Sequence, residues 1–370
     1  MENRLEKVQH RRITEILKRR IMKGKYSTAE KMPSENELLK EFKVSKNTLL
    51  KALNALINQG YIIRRQGSGT FVAPSAAERK NMKIAVIAYH SDNPYYSKII
   101  REIEDFAFQK GFGVVLCNSK GSADKESEYV ERFISEVDGF IICPTVESSE
   151  YSTGVGNIIE SETPLVLVSH TAVNQLTSRA DYVLSDSCAG GFLAGKHLAE
   201  RGYKKMLILA NGIHLENEDI KERIKGFKLA MMQNNIAFDD SCIIRCSSKD
   251  PDNGYTRDGY EAAALIATDY TKLPLGIFVL SDQMAIGLLR GLRGKNIDVP
   301  KCVGICGFDN IELSSQWGIE LTTIAQNAAA IGKRSAEILF SILENPEQDI
   351  PPEHITIPVE LIPRKTTMLK

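Results

Sequence analysis

The chain has 370 residues, 43% hydrophobic and 25% charged, with 47 basic and 47 acidic side chains. That length exceeds one small module and asks for two or three domains. The N-terminus is charged throughout and no apolar run reaches membrane-spanning length, so a cytoplasmic protein with no membrane partner is expected. The zero net charge hides an asymmetry: residues 1–73 carry 16 Lys and Arg against 7 Glu, leaving 31 basic and 40 acidic residues beyond them. A basic N-terminal segment is the footprint of phosphate contact, although solvated helices are often charged too.

Apolar positions Val8, Ile13, Ile16, Leu17 and Ile21 space a first helix over residues 4–23. Ser34 stands three residues before Glu37 and just after Pro33, a capping box that opens a second helix with Leu38, Leu39 and Phe42 inward. Ser45 caps a third helix whose inner face is Leu49, Ala52, Leu53, Leu56 and Ile57, leaving Lys46, Asn47 and Thr48 exposed on its first turn. Gly60 stops that helix, and Tyr61–Arg65 and Thr70–Ala73 pair as a hairpin with Gln66, Gly67 and Ser68 at its tip. In a helix-turn-helix, the first turn of the second helix enters the major groove. The Gly-Ser-Gly tip permits close backbone approach to a minor groove, or is an ordinary turn.

Residues 74–81, Pro-Ser-Ala-Ala-Glu-Arg-Lys-Asn, lack periodicity and are expected to be a linker between a domain at 1–73 and another at 82–370. From Met82 onward, short apolar runs alternate with helical stretches such as Tyr96–Lys110 and Arg223–Asn234. The runs are Ile84–Ala88, Gly113–Cys117, Gly139–Cys143, Leu165–Val168, Met206–Leu209, Gly276–Leu280 and Val303–Cys306. This repeat means parallel sheets covered on both faces, and its length points to two α/β subdomains with a ligand cleft between them. All seven cysteines follow residue 116. The pairs Cys242/Cys246 and Cys302/Cys306 have no His or Cys partners at metal-site spacing, and buried free thiols are expected.

Residues 31–72 resemble the winged-helix module of GntR-type bacterial regulators, because two caps at fixed spacing combine with a Gly-x-Gly wing. The resemblance implies DNA contact by Asn36, Lys46, Asn47, Thr48, Lys51, Gln66, Gly67 and Ser68. It also marks departures. Lys46 replaces the usual arginine and loses bidentate geometry. Leu50 stands where an arginine contacts DNA; it either closes the core beside Leu53 and Ile57, the favoured reading, or meets a thymine methyl.

Residues 83–368 resemble the effector domain of the LacI/GalR regulators, which share the periplasmic sugar-binding-protein fold. The resemblance rests on Asn93-Pro94-Tyr95-Tyr96, Val137-Asp138-Gly139-Phe140-Ile141, Gly190-Gly191, His197-Leu198 and Arg223-Ile224-Lys225-Gly226-Phe227. It continues through Ser281-Asp282-Gln283-Met284-Ala285, Gly307-Phe308-Asp309-Asn310, Leu321-Thr322-Thr323 and Arg364-Lys365-Thr366-Thr367. A GntR-type head on such a sensor resembles the arabinose-repressor group. The implied effector contacts are Tyr95 and Tyr96 against a sugar ring, and Asp186, Arg223, Asp309 and Gln326 on its hydroxyls. His170 and Tyr255 would stand at the rim. Ser281 replaces the family's asparagine.

Other near-motifs fail. Gly190-x4-Gly195-Lys196 mimics a phosphate loop, but His197 stands where a hydroxyl should be and the interior is apolar. No catalytic constellation, cofactor motif or paired metal-ligand histidines are found. The expectation is a homodimeric, sugar-responsive repressor binding a near-symmetric duplex operator, with sugar re-angling the heads through the linker. The alternatives are a non-sugar effector such as a nucleobase, or a sugar-acting α/β enzyme.

Overall fold

The computed structural model describes residues 2–22, 25–26, 30–65, 68–73, 81–147, 150–172, 175–212, 215, 217–246, 254–269, 274–346, 348 and 351–368. Gln66 and Gly67 at the hairpin tip and most of the linker, residues 74–80, lie outside them. The head comprises α1 (Glu2–Met22), α2 (Glu35–Phe42), α3 (Lys46–Asn58) and the antiparallel strands β1 (Ile62–Arg65) and β2 (Gly69–Val72), with Ile62 opposite Val72. Both caps form: Ser34 Oγ accepts the Glu37 amide at 3.3 Å while the Glu37 carboxylate accepts the Ser34 amide at 2.7 Å. Ser45 Oγ accepts the Thr48 amide at 3.2 Å. Leu17, Leu38, Leu49, Leu56 and Ile62 are fully buried in the head's core, each contributing about 1.5–3 kcal/mol.

Two expectations for α3 need correction. Thr48 is 1% exposed, because capping turns it inward and its hydroxyl meets that of Ser45 at 2.8 Å. Leu50 is only half-buried and stands outside the head's core cluster. It lies one residue, about 100°, around the helix from Leu49, beyond the inward stripe of Leu49, Ala52, Leu53 and Leu56.

The N-lobe follows as β3 (Lys83–Ala88), α4 (Pro94–Gln109), β4 (Gly113–Asn118), α5 (Ala123–Phe133), β5 (Gly139–Ile142), the small hairpin β6 (Val146–Glu147) and β7 (Glu150–Tyr151), α6 (Thr153–Glu160), β8 (Leu165–Val168) and β9 (Asp181–Ser185). The C-lobe runs α7 (Ser187–Glu200), β10 (Lys205–Asn211), α8 (Glu218–Gln233), β11 (Ile243–Cys246), α9 (Gly254–Asp269), β12 (Leu275–Val279), α10 (Asp282–Gly294), β13 (Val303–Asp309) and β14 (Thr322–Ala325). Then α11 (Ala328–Glu344) packs back on α4 and the N-lobe sheet, β15 (His354–Ile357) completes that sheet, and β16 (Glu360–Ile362) returns to the C-lobe. Strand orders are β15-β9-β8-β5-β3-β4 and β11-β10-β12-β13-β14-β16; every pair is parallel except β14 with β16.

The strand-like runs of the sequence all become strands. The outer strands β11, β15 and β16, and β14 beside them, carry no comparable apolar run; β15 alternates exposed and half-buried residues, as strands open to solvent do. The cysteines are free but not uniformly buried: Cys306 is buried, Cys242 and Cys246 are half-buried and Cys302 is exposed. The phosphate-loop mimic is helix α7, with Gly190, Gly195 and His197 buried and His197 Nε2 meeting Thr367 Oγ1 at 2.8 Å.

The lobes join where the chain crosses between β9 and α7, β14 and α11, and β15 and β16. The crossings are tied together. Ser185 donates to Gln326 Oε1 at 2.6 Å, and the Asp186 amide donates to the Ile357 carbonyl at 3.0 Å. In the C-lobe, α7 and α8 touch backbone to backbone. A Cβ on Gly191 would sit 1.9 Å from the Arg223 carbonyl oxygen, and one on Gly226 equally close to that of Cys188. Gly191→Ala should therefore cost about 3 kcal/mol or more by forcing the helices apart, read as a lower urea midpoint in chemical denaturation.

Candidate functional site

The cleft lies beyond the carboxyl ends of the strands, between the lobes. Tyr89, His90, Asn93, Tyr95, Tyr96, Ser169 and His170 wall it from the N-lobe; Asn211, Asn217, Asp219, Ile220, Arg223, Tyr255, Leu280, Ser281, Met284 and Asp309 do so from the C-lobe, and Gln326 from the hinge. Tyr89, His90, Ser169, His170, Leu280 and Ser281 directly follow β3, β8 and β12, and Asn211 and Asp309 end β10 and β13, where a parallel sheet delivers its loops to one edge.

Asn93 caps α4 through the Tyr95 amide at 2.9 Å and starts it with both tyrosines facing the cleft. The Tyr95 hydroxyl meets Ser169 Oγ at 2.9 Å, and burial pushes its phenol well above the ordinary range. Tyr96 is held by His170 Nε2 at 2.8 Å. His170 reaches across the cleft: its Nδ1 lies 2.9 Å from the carboxylate of Asp219 in α8, with both side chains about 10% exposed. Burial alone would lower the imidazole's pKa, but the Asp219 charge and hydrogen bond, with the Cys143 thiol beside it, raise it well above its usual value. A second bond spans the lobes from Asn93 Nδ2 to Gln283 Oε1 at 3.2 Å. With both bonds made, the cleft is closed.

Arg223, 7% exposed, stands one turn beyond Asp219 on the same face of α8. Its guanidinium lies 3.9 Å over the Phe308 ring, donates to the Leu280 carbonyl at 2.9 Å and pairs with Asp219 at 3.2 Å. Its Nε–H is buried with no hydrogen-bond partner among the described residues. Opposite, Asp309 ends β13 with φ 121°, a conformation that L side chains rarely adopt and that the surroundings must impose. Gln326 Nε2 donates to its Oδ1 at 2.6 Å and the Asp282 amide to its Oδ2 at 3.4 Å. Burial raises the Asp309 carboxyl, against the opposing pull of Arg223. Beneath it, fully buried Asp282 accepts from Thr323 Oγ1 at 2.6 Å and the Ile311 amide at 3.0 Å; burial and the nearby Asp309 raise it further. Gly307 makes room for that carboxylate, since a Cβ there would lie 2.2 Å from Asp282 Oδ1.

Eight of the nine effector positions from the sequence line this one cleft: Tyr95, Tyr96, His170, Arg223, Tyr255, Ser281, Asp309 and Gln326. Asp186 is the exception. Its carboxylate caps α7 through the Ala189 amide at 2.9 Å, which holds it at a separate crevice beside Cys188 and Glu222. Ser281 likewise caps α10 through the Met284 amide at 3.4 Å while lining the cleft. Tyr89, Asn211 and Asp219 line the cleft as well, outside the set that the sequence indicates. Asn211 could have been found as the polar residue ending an apolar strand; Asp219 carries no such signal, since an acid in a first helical turn is ordinary. On the head, Asn36, Lys46, Asn47, Lys51 and Ser68 are exposed, and Arg64 pairs with Glu35.

Residues 9–72 match the bacterial regulatory proteins of the gntR family, and residues 196–367 match the periplasmic binding protein-like domain. The HTH-type transcriptional repressor PurR of Mannheimia succiniciproducens is 30% identical over 87% of this chain and 89% of its own. The arabinose metabolism transcriptional repressor of Halalkalibacterium halodurans is 29% identical over 91% and 90%. A LacI family transcriptional regulator from Enterococcus faecium, solved with bound ribose, superposes with a TM-score of 0.66 at 28% identity, covering 78% of this chain and all of that one. A GntR-type head joined to a two-lobed, LacI-type effector domain is the architecture of a transcriptional regulator. This chain belongs to the bacterial repressors that couple a GntR-type head to a LacI-type effector domain.

Because His170 has its pKa raised in the closed form, its contribution to stability is complete below pH 6.5 and is lost as pH rises through the closed-state value. Each unit of difference from the unfolded chain is worth about 1.4 kcal/mol. Thermal unfolding from pH 6 to 9 should show the parent losing stability relative to His170→Gln as pH increases.

Proposed function

We propose that the cleft takes a small neutral polyol, a pentose-class sugar first, and that its occupancy sets the operator affinity of the head. The carrying observation is the convergence of one buried, unpartnered Arg223 Nε–H with the strained, amide-held Asp309 across a tyrosine-walled cavity. A vicinal diol fits such a site: one hydroxyl donates to the carboxylate while a hydroxyl oxygen accepts from the guanidinium. The charged groups largely match, His170 and Arg223 against Asp219 and Asp309, which favours a neutral guest over an ionic one. The ribose-bound and arabinose-metabolism relatives support the same class.

In this reading the protein works as a homodimer on a two-fold operator. Lys46, Asn47 and Lys51 enter the major groove, with Leu50 free to meet a thymine methyl, and Ser68 and Asn36 contact the backbone. The crossings bonded through Ser185, Gln326 and Asp309 carry the ligand's presence into lobe closure. No catalytic step is needed.

A thermal-shift screen of free pentoses, hexoses and nucleobases tests this. A pentose at 100 times its Kd should stabilise the protein by about 2.7 kcal/mol. A shift with a nucleobase and none with any sugar would replace the sugar reading, and turnover of any of them would overturn the regulator-only view. Arg223→Ala should lower ligand affinity at least 100-fold, by calorimetry, while operator binding persists. Lys46→Ala should weaken operator binding across sequences and reduce the slope of log K against log salt by about one.

A further inference from the structure

Helix α1 has two working faces. Ile13, Leu17 and Ile21 belong to the head's core. The opposite stripe, Arg11, Arg12, Glu15 and Arg19, follows helical spacing and lies against the N-lobe. Arg11 donates to the Glu131 carbonyl, and Arg12 pairs with Glu160 at 2.6 Å. Arg19 donates from Nε to Thr163 Oγ1 at 3.3 Å and from Nη2 to the Asp138 carbonyl at 3.4 Å. The Asp138 carboxylate in turn accepts the amides of Asn81 and Met82, at 3.0 and 2.8 Å, where the chain enters the N-lobe from the linker. One residue thus holds both the docked helix and the covalent connection.

In the middle of this seam stands a defect. Glu15 is fully buried, and neither carboxylate oxygen has a hydrogen-bond partner among the described residues; the likewise buried Lys18 pairs with it only loosely, its Nζ 4.0 Å away. Buried carboxylates in folded proteins are normally bonded, and one that is not opposes the contact that buries it. The contacts named above are hydrogen bonds and one ion pair, and that Arg12–Glu160 pair is nearly half exposed. The seam is therefore built to hold weakly. It also ties up three cations of a basic head.

We propose that α1 and the N-lobe form a releasable dock, and that the docked head, with Arg11, Arg12 and Arg19 engaged by the protein itself, is the form with lower affinity for operator DNA. Release returns those guanidinium groups to phosphate contact. Glu15 keeps the dock reversible, since undocking rehydrates it. The dock rests on the head's engagement of DNA and is independent of which ligand fills the cleft.

The full chain without ligand carries the test, by amide hydrogen exchange and by titration of operator duplex. Glu15→Leu, made together with Lys18→Met so that no buried ammonium loses its counter-charge, removes the defect. It should slow exchange both in α1 and in N-lobe residues 131–138 and 153–163, and raise the operator concentration for half-saturation at least fivefold. Glu160→Ala with Thr163→Val leaves the head's cations intact and loosens the dock from the other side, so exchange in those segments should quicken and operator binding tighten. Slower exchange confined to the head would mean that Glu15→Leu with Lys18→Met merely stabilises it, and would overturn the proposal, as would equal operator affinity in all three proteins. A pH readout separates the two further. Burial raises the Glu15 carboxyl against Lys18 and Arg19 on α1, while Asp138 from the N-lobe raises it further. Docking therefore favours the protonated form and weakens as pH rises, and Glu15→Gln should flatten that dependence. Failure of the sugar screen leaves these readouts untouched.

Discussion

Gln326 joins the two things this effector domain must do. Its carbonyl oxygen accepts from Ser185, tying two of the three interlobe crossings together, and its amide nitrogen holds the carboxylate that faces the cleft. Because the side chain is 2% exposed, neither bond competes with water. The strained backbone of Asp309, the buried Asp282 beneath it and the room left at Gly307 all serve the placement of one acceptor. Recognition and hinge geometry thus share a single amide.

The closed form has a polar cost structure typical of a binding protein rather than of a rigid core. His170 and Asp219 meet across the cleft, but each also needs a neighbour: Tyr96 for the imidazole and Arg223 for the carboxylate. A buried polar network of this kind is stable only while complete. Under the proposed function, a guest that completes or disrupts this network would bias closure by a few kcal/mol, the range in which allosteric coupling operates.

The link to DNA is less direct than a linker alone implies. Linker residues 74–80 lie outside the described structure, while α1 itself contacts α5, α6 and the turn before β5. The head is therefore joined to the N-lobe both covalently and by side-chain contact. Motion of that lobe has a route to the head which charge counting over residues 1–73 could suggest only as an excess of basic side chains.

Local chemistry settled much of this protein in advance. Capping boxes, apolar periodicity and strand-ending turns act within a few residues, so the head's helices, the inner strands and the parallel-sheet class were legible, as were Arg223 and Asp309 through motif resemblance. What required the folded chain were features set by partners far away in sequence. Thr48 turns inward and Leu50 outward because of helix phase against a particular core; Asp186 leaves the cleft because its carboxylate is taken up in capping α7. Asp219 becomes a cleft residue only because His170, 49 positions earlier, arrives from the other lobe. Glu15 is an unremarkable helical acid until Asp138 and its lobe close over it. Periodicity reports which residues want burial; only packing decides against what.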